Sequence, residues 1–142
     1  MCFDLAVLSD EDRAAVLRRA WQVPRPGGAF VFDVGTPARE RPADGVRSWE
    51  ASVGGFWRAG PYLALNEHFE YPEASIVLDL VIIVEPAGET TVYRIWERLY
   101  TLEAISAELL ATGFLVEEIS GDLAGAPPSA ASPSLGVIAR KP

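Results

Sequence analysis

After Ser9, the apolar residues Leu17, Ala20 and Trp21 fall on one stripe at helical spacing. Ser9 is a natural N-cap, with Asp12 three residues on in a capping-box-like arrangement. Asp10, Glu11 and Asp12 complement the positive end of this helix, Arg18 and Arg19 the negative end, and Pro24 and Pro26 stop it. A Gly27-Gly28 turn then leads into Ala29–Val34, which is apolar without alternation. A run of that length predicts a strand buried on both faces, as in a parallel sheet covered by helices. Asp33 stands at its C-terminal end, the edge where open α/β sheets bind ligands.

From Thr36 to Gly60 the pattern is irregular. Three long strand candidates follow, Tyr62–Tyr71, Ser75–Glu85 and Thr90–Tyr100. In the first, Leu63, Leu65, Phe69 and Tyr71 share one face, opposite Asn66, His68 and Glu70. The second carries Asp79 and Glu85 among apolar residues on its less regular face. The third carries Arg94, Trp96 and Arg98 on one face. Short connections, with a Pro86–Glu89 turn between the last two, predict antiparallel hairpins. Thr101 caps a second helix with Leu102, Ile105, Leu109 and Leu110 at helical spacing, ended by Gly113. Strands over Phe114–Ile119 and Leu135–Ala139 close the chain, joined by a loop rich in Pro, Ser, Gly and Ala.

Composition narrows the function classes. The 142 residues fit one domain, 1–142, with the strands of 60–100 as an antiparallel insertion. A net charge of -8 argues against tracking nucleic-acid phosphates and against an anionic membrane surface. The longest apolar run, Leu80–Val84, is strand-length, far below the ~18 residues of a membrane helix. Asp4 interrupts the short apolar start, so no signal peptide is expected and a cytoplasmic location is the default. The single cysteine, Cys2, excludes an internal disulfide framework and a multi-cysteine metal site.

Taken in order, the segments resemble a known family. PGGAFVFDV (Pro26–Val34) is similar to the fifth strand of class I S-adenosylmethionine-dependent methyltransferases, with its preceding proline-glycine-glycine turn. SDEDRAAVLRRAWQVPRPGG (Ser9–Gly28) resembles the helix before that strand. ELLATGFLVEEISGDLAGAP (Glu108–Pro127) resembles the last helix and sixth strand, and LGVIARKP (Leu135–Pro142) the antiparallel seventh. Leu78–Ile105 is similar to a bacterial branch with an extra antiparallel sheet after strand five. The resemblance implies an α/β fold: the C-terminal half of a Rossmann-like methyltransferase sheet with an inserted three-strand antiparallel sheet. It implies methyl transfer from S-adenosylmethionine to a small-molecule acceptor.

The family holds its cofactor with a Gly-rich loop after strand one and a carboxylate after strand two. No G-x-G-x-x-G occurs here, and Met1–Leu8 corresponds to the end of strand four and the loop beyond. This chain is therefore expected to be inactive alone and to bind S-adenosylmethionine weakly. Its partner is expected to be a second copy or the missing N-terminal half, paired through an exposed sheet edge.

In-line methyl transfer asks the protein to position the acceptor, exclude water and in some cases take a proton. The resemblance places Cys2, Phe3 and Asp4 in the loop facing the reacting methyl, which makes Asp4 one catalytic candidate. His68, the sole histidine, is the other, because imidazole ordinarily changes charge near neutrality. Asp33, Arg94 and Trp96 are substrate-binding candidates, the last two as a wall for an anionic or aromatic group. Plainer readings stand beside these: a turn residue for Asp4, a hydrogen-bonded sheet histidine for His68, a loop-ordering carboxylate for Asp33, and a ladder from Arg94 and Arg98 to Asp79 or Glu85. Trp49 and Trp57, in irregular chain, are expected to line a pocket or a subunit contact, or to be partly buried anchors. The rival to the enzyme is a non-catalytic oligomerising or small-ligand-binding α+β module.

Overall fold

The computed structural model describes residues 4–142. In chain order its elements are α1 (Asp10–Gln22), β1 (Ala29–Gly35), β2 (Arg47–Ser52), β3 (Tyr62–Tyr71), β4 (Ile76–Val84), β5 (Thr90–Arg98), α2 (Leu102–Thr112), β6 (Leu115–Ser120) and β7 (Ser134–Arg140). They form two compact units, one from the chain up to Glu40 with Arg98–Pro142, the other from Arg41–Glu97.

The first unit is a three-stranded sheet, order β1-β7-β6, under α1 and α2. Both caps form as their residue types require: the Ser9 hydroxyl accepts from the Asp12 amide at 3.1 Å, and Thr101 accepts from the Ala104 amide at 3.2 Å. Gly113 ends α2 at φ 98°, a left-handed conformation that favours glycine. Both strand pairs are antiparallel, with Phe32 opposite Val137 and Val34 opposite Leu135. Those side chains, with Leu17, Ile105, Leu109 and Phe114, make the core. Phe30 stacks between Phe32 (4.8 Å) and Phe114 (5.8 Å).

The expectation that β1 is buried on both faces is corrected. Its core-facing Phe32 and Val34 are fully buried, but Val31 on the reverse face is 49% exposed. Leu115 of β6 is likewise open at 54%. The helices of this unit cover one face only, and among the described residues β1 has a single partner strand, β7. An apolar run thus marks β1 as a strand without showing that both its faces are covered.

Gly136 of β7 has no room for a side chain, because an added Cβ would run into the backbone carbonyl of Asp122. A backbone atom cannot rotate aside. Gly136→Ala is therefore expected to destabilise the protein by about 1–3 kcal/mol, as overpacking does. Urea unfolding with an unchanged midpoint would contradict this.

The second unit is an antiparallel meander, β2-β3-β4-β5. The three expected strands are present, and β2 joins them at the edge. β2 lies in the stretch that looked irregular, because a strand exposed along almost its whole length carries no apolar alternation. The core of the unit is Tyr62, Ala64, Val81 and Ile83, packed against Trp57 and Tyr93. Tyr62, Ala64 and His68 are buried, while Leu65 is exposed.

Candidate functional site

The buried face of β3 carries the most reactive arrangement in the second unit. Antiparallel register places His68 directly opposite Asp79. The two side chains meet there, His68 Nδ1 lying 2.6 Å from Asp79 Oδ1. His68 is 3% exposed, whereas half of the Asp79 side chain reaches solvent. The other ring nitrogen, Nε2, is buried and has no hydrogen-bond partner among the described residues. The Glu70 carboxylate lies 3.8 Å from it, beyond hydrogen-bond reach.

His68 lines a cavity of about 270 Å³ together with Ser48, Trp57, Asn66, Val81 and Ile95. Ser48 and Asn66 are register partners on β2 and β3, so two small polar groups stand beside the imidazole. Trp57 stacks on Tyr93 at 4.7 Å. The loop before β3 is pinned by Arg58, which donates to Glu85 (2.7 Å), Thr91 (2.6 Å) and the Tyr93 hydroxyl (2.9 Å). The Glu85 carboxylate, with help from Tyr93, raises the proton affinity of Arg58 above its ordinary value. The result is a mostly apolar concavity with a few convergent polar groups, the usual form of a small-molecule site.

Other candidates fall elsewhere. Trp96 stacks on Tyr71 at 5.7 Å, on the sheet face opposite His68, and Arg94 is exposed. The ladder weighed for this strand does not form: Asp79 binds His68, Glu85 binds Arg58, and Arg98 reaches Asp10 at 3.0 Å. Trp49 is 71% exposed and borders a separate open groove of about 340 Å³ with Leu65, Leu80 and Ile82.

In the first unit, Asp33 is buried on β1 opposite Gly136, while Asp4 is exposed in a turn. Cys2 and Phe3 lie outside the described residues. A cleft of about 500 Å³ opens beyond the end of β1, between Thr36, Tyr100–Glu103 and Ser129–Ser132. No group of three or more metal-ligating side chains occurs among the described residues.

The role of Asp79 went unseen in the sequence, although a signal existed. A hairpin turning at Pro72–Ser75 sets the pairing Tyr71 to Ile76, and the same register runs back to His68 and Asp79.

No family model and no curated protein matches the sequence. Solved structures do. An S-adenosylmethionine-dependent methyltransferase from Clostridium acetobutylicum ATCC 824 superposes with a TM-score of 0.72 at 11% identity, over 98% of this chain and 55% of that one. The fold is similar to about half of the fold of S-adenosylmethionine-dependent methyltransferases. The CcbJ methyltransferase of Streptomyces caelestis matches with TM-score 0.67 and 19% identity, over 99% of this chain and 58% of that one. The sugar N-methyltransferase KedS8 of Streptoalloteichus sp ATCC 53650 matches with TM-score 0.59 and 15% identity, over 98% and 55%. The chain thus spans little more than half the length of these methyltransferases.

The cleft beyond β1 does not fit the cofactor of these methyltransferases. In the cleft beyond β1, the Thr36 hydroxyl donates to the Ser132 carbonyl (2.6 Å) and accepts from the Ala38 amide (3.2 Å). Ser132 Oγ is taken up by the Ser129 amide at 3.0 Å. The turn there, Gly35-Thr36-Pro37, offers one glycine instead of the glycine-rich cradle a nucleoside needs for close backbone approach.

Proposed function

We propose that this chain supplies the acceptor-binding part of a class I S-adenosylmethionine-dependent methyltransferase acting on a small molecule, with the cofactor held outside these residues. The observation that carries the reading is the buried His68, whose Nε2 lacks a partner, in a cavity on the sheet inserted into a methyltransferase fold. The cofactor supplies the methyl group. His68 Nε2 receives the proton that the acceptor atom gives up, as a positioned general base does. Asn66 and Ser48 orient the acceptor, and Trp57, Val81 and Ile95 keep water from it.

An amine acceptor is favoured over a carboxylate. Asp79 and Glu70 flank His68, and this negative surround attracts an ammonium and repels an anion. The similarity to a sugar N-methyltransferase agrees with that choice.

The reading is tested by titrating an aminodeoxyhexose into isotope-labelled protein and following backbone amide shifts. Saturable changes are expected at Ser48, Asn66, His68 and Val81. Changes confined to the Thr36–Ser132 cleft, or none that saturate, would overturn it. A second expectation concerns the cofactor: isothermal titration with S-adenosylmethionine should show no low-micromolar binding to this chain. Binding of that strength needs roughly 7–8 kcal/mol of interaction, and in the cleft beyond β1 the Thr36 and Ser132 hydroxyls are already engaged within the protein.

A further inference from the structure

The two nitrogens of His68 have different surroundings, and the difference assigns a role to Asp79. An ionised carboxylate only accepts hydrogen bonds, so at 2.6 Å from Asp79 Oδ1 the Nδ1 atom is the donor. A proton on Nε2 as well would be a buried donor with nothing to meet, since Glu70 is 3.8 Å away. Orphaned buried donors are rarer and costlier than acceptors with a spare lone pair.

We infer that Asp79 is a positioning residue that holds His68 as the Nδ1–H tautomer, so that Nε2, buried and unpartnered among the described residues, is the ring's lone-pair acceptor. Free imidazole in water prefers the opposite tautomer, with its proton on Nε2, so the fold reverses the intrinsic preference. Antiparallel register makes this possible. His68 and Asp79 are direct cross-strand partners, and the carboxylate reaches the ring from the strand beside it.

The inference rests on the proposed acceptor site for its purpose, but the tautomer is read without acceptor or cofactor, so the two fail separately. The chain contains one histidine, and a long-range proton–nitrogen correlation spectrum of labelled protein at neutral pH therefore shows one pair of imidazole nitrogens. The expected result is Nδ1 in the protonated range and Nε2 in the unprotonated range. Asp79→Ala is expected to invert that order, and Glu70→Gln to leave it unchanged. Asp79 is half exposed, so its removal leaves no buried charge behind. An Nε2–H tautomer in the wild-type protein, an imidazolium with both nitrogens protonated, or an order unaffected by Asp79→Ala would each overturn the inference.

Discussion

His68→Ala is expected to slow turnover about 10²–10⁴-fold, the usual contribution of a positioned general base, in the enzyme that unites this chain with a cofactor-binding part. Affinity for S-adenosylmethionine should stay unchanged. The expectation follows from position. His68 is the only histidine, it is buried, and Nε2 has no partner among the described residues. Asp79 occupies Nδ1 at 2.6 Å. If orientation alone drove methyl transfer, the variant would lose little. Steady-state kinetics of His68→Ala beside Asp4→Ala separate the cases. Wild-type turnover in the first would remove His68 from the mechanism and favour the loop that carries Asp4.

Arg13→Ala is expected to cost about 3–5 kcal/mol, the range for breaking a buried ion pair from one side. Arg13 is 5% exposed although it sits on a helix, and every arm of its guanidinium is engaged. Nε donates to Glu108 and one terminal nitrogen to Asp10, both at 2.6 Å, while the other terminal nitrogen reaches the Leu8 carbonyl at 3.2 Å. Glu108 also accepts from the Tyr100 hydroxyl at 2.8 Å. The network ties α1 to α2 and to Tyr100. Glu108 keeps some solvent contact, so the lower end of the range applies. Burial, and then the Glu108 charge, push the Tyr100 hydroxyl upward, so it remains a donor through neutral pH. Arg13, followed by Arg98, holds Asp10 below the ordinary 3.8. That contribution is complete above 3.8 and is lost as pH falls through the lowered value. Asp10 is largely exposed, so acid should weaken the network only modestly. Chemical denaturation of Arg13→Ala with a midpoint equal to wild type would contradict the assignment.

Local signals carried much of the fold. Ser9, Thr101 and Gly113 mark both helices because caps are decided by a few neighbouring residues. The long strands show in alternation, and their hairpin order follows from short turns. Tertiary features were less legible. β2 has no apolar alternation because it is an exposed edge. Which face of β3 is buried depends on Trp57 and Tyr93, which arrive from distant parts of the chain. The open face of β1 is invisible in a run of apolar residues, since periodicity records what a strand can bury and not what covers it. At the site, His68 stood out by its chemistry alone. Asp79 did not, because its role comes from register across the β3–β4 hairpin. Trp96 and Arg94 shared an attractive pattern with His68 on paper, and the pleat puts Trp96 on the opposite face.

The central claim is that this chain carries the acceptor site of a methyltransferase. Its most direct test is an assay with methyl-labelled S-adenosylmethionine and a panel of small amines and hydroxyl compounds, run on the enzyme that unites these residues with a cofactor-binding part. The account predicts label on an amine acceptor, matched mole for mole by S-adenosylhomocysteine. Cofactor bound at saturation, with neither label transferred to any acceptor nor S-adenosylhomocysteine formed, would contradict it.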